Sequence, residues 1–244
     1  MPYDSKYAAI SCLRKALSGA SLSAPCYVRV NGPDTPWTVE ESHLLLEFSN
    51  LGIVLPKARD ASSVQYALRS YGISRARNII LLIEDFQALL HLGDLARLES
   101  LIAIGLGLED LYHSLRFDSS ALKTLTTRIR SELAIHCHAN EIIGIDSISP
   151  DLTAGLSLEQ ETVDARAAGL DAKFSIHPQQ IPVINRILSP TPEAVESAMR
   201  LNDLNITNAD QSGYQMICGE IVSPPKLKKA RTITTFAKHH ESNQ

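Results

Sequence analysis

Two short apolar runs near the middle of the chain predict a pair of neighbouring buried strands. Residues 79–83 are all isoleucine or leucine and lead directly to Glu84, and residues 101–105, Leu-Ile-Ala-Ile-Gly, come shortly before Asp110. Between them, residues 86–98 show the apolar spacing that is typical of an amphipathic helix. A strand, a helix and a second strand in this order indicate one parallel βα unit.

The same unit recurs along most of the chain. Six strand-like runs end at Asn31, Lys57, Glu84, Asp110, Asp146 and His177. Successive ends lie 26 to 36 residues apart. An internal βα repeat of this size is what a (β/α)8 barrel is built from. A doubly wound open sheet is the alternative, but the sequence contains neither of the two standard patterns of glycine-rich phosphate-binding loop that would support it.

We therefore predict an α/β fold of the TIM-type (β/α)8 barrel, incomplete in that six parallel strands are visible where a closed barrel has eight. Residues 1–190 are assigned to this partial barrel and residues 191–244 to a C-terminal helical extension. Oligomer contacts, the helix at 1–20 or a longer native chain could cover the two exposed edges. Further helices are predicted at 39–48, 121–139, 158–168, 193–205 and 226–239.

Composition and charge narrow the class of protein. Of 244 residues, 44% are hydrophobic and 20% charged, with a net charge of −4, which suits a globular protein and does not favour a nucleic-acid-binding surface. No apolar run reaches the roughly 20 residues of a membrane span. The N-terminus has no signal-peptide pattern, so we expect a cytoplasmic protein, or one of the mitochondrial matrix if the native chain is longer. The four cysteines are too widely spaced for a zinc framework.

Glu84 and Asp110 are the first candidates for a functional site. The carboxyl ends of parallel strands form the working face of such folds, so we expect the two carboxylates side by side at one rim. Two hard oxygen ligands, with room left for water and substrate, suit a magnesium ion. The alternative interpretation is that both carboxylates are solvated strand ends that bind nothing.

Five colinear motifs resemble one protein family. Residues 28–37 contain Val-Arg-Val-Asn and Thr-Pro-Trp, and residues 52–58 read Gly-Ile-Val-Leu-Pro-Lys-Ala. Ile-Glu at 83–84, Gly-Leu-Glu-Asp-Leu at 107–111 and Ala-Gly-Leu-Asp-Ala-Lys-Phe-Ser-Ile-His-Pro-Gln-Gln-Ile at 168–181 follow in order. In these motifs the chain is similar to the HpcH/HpaI aldolase family, and within it to the branch that resembles the citrate lyase beta subunit.

This resemblance implies a magnesium-dependent barrel enzyme. Members of the branch cleave a carbon–carbon bond in a 3-hydroxyacyl-CoA thioester, such as malyl-CoA or citramalyl-CoA, and release acetyl-CoA and a 2-oxo acid. By resemblance, Glu84 and Asp110 hold the metal, and Arg29 is the catalytic residue that binds substrate and polarises the oxygen that gains charge. Lys57 is implied to meet the phosphates of CoA. A homo-oligomer, often a trimer, is also implied.

Three features depart from the family pattern. The chain resembles the family only from the family's third strand onward, so we expect the first two strands and an acidic motif to be missing. Ala172 replaces a glycine before Lys173. Ser223 aligns with a position that is often acidic in this branch, and serine cannot transfer protons as a carboxylate does near neutral pH. Glu220 is the candidate substitute.

Two other functions stay open at this point. One is a non-catalytic relative, a binding or scaffold protein that keeps Glu84 and Asp110 without turnover. The other is a metal-dependent aldolase that acts on free 2-oxo acids without CoA. Dependence on CoA separates the lyase from the aldolase, and ligand binding without turnover identifies the binding protein.

Overall fold

A computed structural model of the chain describes residues 5–19, 24–73, 78–116, 122–203, 215–217 and 220–241. The chain divides into two compact units, residues 1–187 and residues 188–244. The first unit contains a parallel sheet and the helices that connect its strands. Cys218 lies outside the described residues.

Six parallel strands form the sheet of the first unit, and their order in space is their order in the sequence. They are β1 Tyr27–Arg29, β2 Gly52–Leu55, β3 Ile79–Ile83, β4 Leu101–Leu106, β5 Ile143–Asp146 and β6 Ala172–Lys173. Among the described residues, β1 and β6 each pair on one side only and are the edges of the sheet. This arrangement confirms the predicted barrel-type α/β fold with six visible strands.

Helices connect the successive strands, and most lie where the apolar spacing predicts them. In the first unit they are α1 Lys6–Gly19, α2 Thr38–Glu47, α3 Ala61–Ser70, α4 Phe86–Leu90, α5 Leu92–Leu95, α6 Leu108–His113, α7 Lys123–Ala139, α8 Leu156–Ala167 and α9 Ile181–Leu188. The prediction of one helix at 86–98 was wrong. Two short helices occupy this segment, because His91 leaves the helical conformation with φ −112° and ψ 12°.

Side-chain caps start two of these helices beside the sheet. The Asp60 carboxylate accepts a hydrogen bond from the backbone N–H of Ser63 (2.7 Å) and begins α3. The Asp85 carboxylate accepts one from the backbone N–H of Ala88 (2.9 Å) and begins α4. A cap of this kind stabilises a helix by about 1 kcal/mol. Because Asp85 directly follows Glu84, its cap also anchors the chain where the predicted site begins.

The two faces of the sheet have different surroundings. The odd-numbered residues of β3 belong to the large core that the helices cover, whereas Ile80 belongs to a separate small cluster. Successive residues of a strand point to opposite faces, so the small cluster marks the face away from the helices. Ile80, Ala103 and Ile145 form it, and Phe174 packs against it.

The last strand is shorter than predicted. β6 ends at Lys173, and His177 instead caps a single 3-10 turn, Pro178–Gln180, where its Nδ1 accepts a hydrogen bond from the N–H of Gln179 (3.3 Å). Between them, the backbone N–H of Ile176 donates to Oε1 of Gln180 at 3.0 Å and not to a neighbouring strand, so sheet pairing does not extend to His177. The prediction of a strand end at His177 was therefore wrong.

The second unit contains two helices and a hairpin among its described residues. α10 spans Pro192–Asp203 and α11 spans Pro224–Glu241, while β7 Gln215–Ile217 pairs antiparallel with β8 Glu220–Val222. The sequence pattern predicts only helices here, and it missed the hairpin because three-residue strands carry too little alternation to detect. No helix in the described part of the chain has both the length and the apolar character of a membrane span.

Ser223, at the position where the branch often carries an acidic residue, precedes α11. Its hydroxyl oxygen accepts a hydrogen bond from the backbone N–H of Lys226 at 3.4 Å. A serine immediately before a helix is typical of an N-terminal cap. This contact gives Ser223 a local structural role within the second unit. The side chain of Glu220 lies outside the described residues.

Candidate functional site

A cavity of about 300 Å³ opens at the carboxyl ends of the strands. Each strand, or the residue after it, contributes to the lining, which includes Arg29, Val54, Glu84, Leu106, Ser147 and Phe174. Glu109 and Asp110 line it as well. The structure thus brings together three of the four residues that the sequence singled out, and Lys57 is the one outside the lining.

Glu84 is the most constrained of these residues. It follows β3 directly, and only 5% of its side chain is exposed. Its Oε1 accepts a hydrogen bond from Nη2 of Arg29 at 2.7 Å, and its Oε2 accepts one from the backbone N–H of Lys57 at 2.9 Å. Both oxygens are therefore held in a defined orientation, and each retains a lone pair for a further contact.

Two backbone features let Glu84 occupy this place. Lys57 adopts a left-handed conformation with φ 54°, which turns its N–H toward the carboxylate. A Cβ atom on Gly107 would lie 2.7 Å from Cγ of Glu84. Because real Cβ contacts are longer than this, any larger residue at position 107 would displace the glutamate. Glycine is therefore required at 107 by the position of Glu84.

Arg29 differs from Glu84 in its exposure to solvent. Its side chain is 58% exposed, although it bonds to a carboxylate that is nearly buried. A guanidinium carries five N–H donors, so a bond to Glu84 leaves others for an oxygen in the cavity. Arg29 can therefore hold Glu84 and contact a bound ligand at the same time.

Asp110 lies on a helix and not at a strand end, so that part of the prediction was wrong. β4 stops at Leu106, the chain turns at Gly107, and α6 begins at Leu108. The start of α6 is held by a hydrogen bond from the N–H of Leu108 to Oγ of Ser147, at 3.2 Å. Asp110 and Glu109 are exposed in the first turn of α6, where the helix dipole favours negative charge.

Lys57 makes a contact that the sequence did not suggest. Its side chain is exposed, and among the described residues it is not part of the cavity lining. Its backbone N–H, however, fixes one oxygen of Glu84. The interpretation of its ammonium group as a ligand of CoA phosphates stays a prediction.

Asp146, at the end of β5, carries a second carboxylate, and the sequence alone did not reveal its structural role. It is fully buried and accepts two hydrogen bonds from Arg130, from Nε at 2.8 Å and from Nη2 at 3.0 Å. Nζ of Lys173 donates to the same carboxylate at 2.8 Å and to the carbonyl of Ser147 at 2.8 Å. Lys173, between Ala172 and Phe174 in the last strand segment, was the available signal, since a buried ammonium needs a partner.

The donor set fits a magnesium ion. Glu84 and Asp110 offer hard carboxylate oxygens on one cavity, and Mg²⁺ is usually bound by one or two carboxylates with several waters. No group of three or more histidine, cysteine, aspartate or glutamate side chains that could hold a metal occurs in the described residues. A pair of carboxylates such as this could hold a hard divalent cation whose other ligands are water or substrate.

Three known proteins are similar to this chain over most of its length. It is 26% identical over 212 residues to a citrate lyase subunit beta-like protein of Mycobacterium tuberculosis, covering 84% of this chain and 74% of the relative. It is 25% identical to a (3S)-malyl-CoA thioesterase of Cereibacter sphaeroides (86% and 75% covered). It is also 25% identical to the human mitochondrial citramalyl-CoA lyase (86% and 67% covered).

Solved structures show the same fold. The CitE protein of Mycobacterium tuberculosis in complex with magnesium, acetoacetate and coenzyme A superposes with a TM-score of 0.71 at 24% identity, covering 98% of this chain and 86% of that one. A citrate lyase beta subunit from the same organism, complexed with oxaloacetate and magnesium, gives 0.62 at 25% identity (78% and 83% covered).

A model of one family, described as HpcH/HpaI aldolase/citrate lyase, matches residues 4–178. That segment contains all six strands and every residue of the cavity named above. The family resemblance in the sequence is therefore confirmed over the part of the chain that builds the site. This chain belongs to the HpcH/HpaI aldolase/citrate lyase family.

Proposed function

We propose that this chain is a magnesium-dependent lyase that cleaves a carbon–carbon bond in a 3-hydroxyacyl-CoA thioester of the citramalyl-CoA or malyl-CoA type. The products would be acetyl-CoA and a 2-oxo acid. The observation that carries the proposal is that Arg29, Glu84 and Asp110 line one cavity at the carboxyl ends of the strands. The relative named citramalyl-CoA lyase supports the substrate class.

The reaction breaks the bond between the hydroxyl-bearing carbon and the neighbouring methylene carbon. The hydroxyl proton leaves as that carbon becomes the carbonyl of the 2-oxo acid, and the methylene carbon takes up a proton to become the methyl group of acetyl-CoA. Glu84 and Asp110 would hold Mg²⁺, which when bound supplies a Lewis acid for the oxygens of the acid fragment.

Arg29 has the properties needed to stabilise the negative charge that develops on an oxygen as the carbon–carbon bond breaks. Its guanidinium stays protonated near neutral pH and is positioned by Oε1 of Glu84 at 2.7 Å. A fixed cation aimed at the oxygen that gains negative charge lowers the barrier more than one that must reorient during the reaction. We therefore assign to Arg29 the stabilisation of that oxygen.

The rest of the lining suits a small acid next to an acyl chain. Val54, Leu82, Leu106 and Phe174 present apolar surface to the cavity. A Cβ on Gly105 would lie 2.3 Å from the ring of Phe174, so the phenyl ring lies directly against β4. Apolar walls suit the acyl part of such a ligand, while Arg29 and Glu84 offer polar groups to its acidic part.

Two parts of the proposal rest on the family resemblance alone. One is contact between Lys57 and the phosphates of CoA. The other is assembly into a homo-oligomer, of which the trimer is the form that the resemblance implies. Size-exclusion chromatography with light scattering measures the second directly.

Product analysis with citramalyl-CoA and malyl-CoA, with and without magnesium, tests the proposal. A lyase gives acetyl-CoA and the 2-oxo acid, whereas a thioesterase, as in the Cereibacter relative, gives free CoA and the hydroxy acid. Turnover of a free 2-oxo acid without CoA would identify the aldolase instead. We expect acetyl-CoA to form only with magnesium, and Glu84→Gln to abolish it.

Ligand binding separates an inactive relative from an enzyme that was given the wrong substrate. A ligand at 100 times its dissociation constant stabilises the folded state by about 2.7 kcal/mol, which a thermal-shift measurement detects. We expect the melting temperature to rise when magnesium is present together with either oxaloacetate or pyruvate. Glu99→Gln, at an exposed glutamate outside the cavity lining, is the matched control for Glu84→Gln. A rise in melting temperature without turnover of any thioester would indicate a binding protein.

A further inference from the structure

The wall of the cavity that follows β5 and β6 is made of two loops. Ser147 and Ile148 come from the loop between β5 and α8, and Ser175 and Ile176 come from the loop after β6. Neither loop belongs to the sheet, so strand pairing does not fix their positions. Side chains must hold them together if the wall is to keep one shape.

Gln180 is the side chain that bonds to both loops. It lies in the 3-10 turn Pro178–Gln180 and is fully buried. Its Nε2 donates to the carbonyl of Ser149 at 3.1 Å and to the carbonyl of Asp151 at 2.9 Å. Its Oε1 accepts from the hydroxyl of Ser175 at 3.1 Å and from the backbone N–H of Ile176 at 3.0 Å.

These four contacts use the whole hydrogen-bonding capacity of a primary amide, which has two N–H donors and two acceptor lone pairs. A buried amide with every group satisfied is rigid, and replacing it would leave two carbonyls and one backbone N–H without their partner. No apolar residue of the same size could bond to both loops. The choice of glutamine here is therefore explained by the loops it joins.

Ser147, at the start of the first loop, is held from outside the loop, since its carbonyl accepts a hydrogen bond from Nζ of Lys173 and its hydroxyl oxygen accepts one from the N–H of Leu108. The bonds that shape the far side of the loop are local. The carboxylate of Asp151 accepts from the hydroxyl of Thr153 at 2.6 Å and from its N–H at 3.0 Å, which holds the pKa of Asp151 below its usual value. These bonds stay within the loop and shape its turn. Gln180 is the residue that ties that turn to the segment 175–176.

We propose that Gln180 is a positioning residue that holds the two loops in the conformation in which Ile148, Ser175 and Ile176 complete the ligand-binding wall beside Ser147. It touches no substrate itself. Its consequence for an acid ligand rests on the function proposed above, whereas its effect on the loops does not.

Hydrogen exchange measured by mass spectrometry tests the effect on the loops. In Gln180→Met, which removes all four bonds, we expect faster amide exchange in both 147–151 and 175–176. In Gln180→Glu the acceptor oxygens remain while the amide donors are lost. We therefore expect the N–H of Ile176 to stay protected while 149–151 exchanges faster. Thr162→Val is the control, because it removes a fully buried hydroxyl whose bond, 2.6 Å to the carbonyl of Leu158, stays inside α8.

Binding of oxaloacetate supplies the readout that a loss of stability alone would not change. We expect Gln180→Met to lower the affinity for oxaloacetate, measured with saturating magnesium, by about tenfold or more, because binding groups that are misplaced contribute less affinity even when they remain present. The affinity for magnesium alone should fall by a smaller factor. Thr162→Val should change neither the affinity for magnesium nor the affinity for oxaloacetate.

Unchanged exchange in both loops of Gln180→Met would overturn the proposal, and so would equal weakening of magnesium and oxaloacetate. If the unmodified protein binds neither magnesium nor oxaloacetate, the proposed function fails. The exchange pattern of the two variants then still decides whether Gln180 holds the loops.

Discussion

Two acidic residues at the carboxyl ends of the strands pair with arginine, and they differ in what surrounds the pair. Glu84, after β3, bonds to Arg29, whose side chain is 58% exposed. Asp146, at the end of β5, bonds to Arg130 and Lys173, whose side chains are 7% and 0% exposed. The same carboxylate chemistry therefore occurs once at an open cavity and once inside the protein.

The difference lies in whether the cation reaches solvent. Arg29 is 58% exposed, so its other N–H donors, and the second lone pair of each Glu84 oxygen, stay open to a ligand or a metal ion while the contact between them is kept. The cations at Asp146 cannot be rehydrated without opening the core, and Glu161, 3.4 Å from Nζ of Lys173, adds a second negative charge. Asp146 is thus suited to hold the framework, and Glu84 is suited to bind.

Removal of the buried charge should have the largest effect. Asp146→Asn leaves Arg130 buried without its anionic partner and Lys173 with Glu161 alone, and we expect the free energy of unfolding to fall by about 3–5 kcal/mol. Urea denaturation measures it. Asp94→Asn breaks an exposed pair with Arg97 (3.9 Å) and should cost less than about 0.5 kcal/mol. A loss at Asp146 as small as that at Asp94 would contradict the assigned framework role.

The corresponding change at Glu84 should leave the fold nearly unaffected. In Glu84→Gln the side-chain oxygen can still accept from the N–H of Lys57, and Arg29 is left in solvent. We expect the free energy of unfolding to change by about 1 kcal/mol or less, together with loss of the magnesium-dependent thermal shift. A destabilisation equal to that of Asp146→Asn would remove the distinction between the two carboxylates.

Substitution of Lys57 should have the smallest effect on stability. Two variants separate the role of its backbone N–H from the role of its side chain. Lys57→Gly keeps the N–H that bonds to Glu84 and suits φ 54°, whereas Lys57→Ala keeps the strain of about 1 kcal/mol or more that a Cβ brings to this conformation. We therefore expect Lys57→Gly to melt at or above the temperature of Lys57→Ala, with magnesium affinity unchanged in both.

The KM for the CoA thioester then tests the side chain of Lys57. A rise of severalfold in both variants would support contact with the phosphates, since loss of one exposed charge pair is worth about 1 kcal/mol or less. An unchanged KM would restrict the role of Lys57 to its backbone N–H.

Much of the framework was predictable from local pattern. The apolar runs at 79–83 and 101–105 predicted β3 and β4, because strands buried on both faces need apolar residues at every position. Glu84 was located for the same reason, as the first polar residue after such a run. The error at Asp110 arose where a turn at Gly107 ended the strand early, and the error at His177 arose where the backbone of Ile176 bonds to the Gln180 side chain instead of a neighbouring strand.

The periodicity of apolar residues thus accounts for the βα repeat and for which residues follow each strand, since periodicity reports local conformation. It does not report distances between residues far apart in the chain. The bond from Arg29 to Glu84 joins residues 55 positions apart, and those from Gln180 reach back 29 and 31 positions. These contacts follow from the packing of strands and loops, which is why one carboxylate is open to ligand and the other is buried.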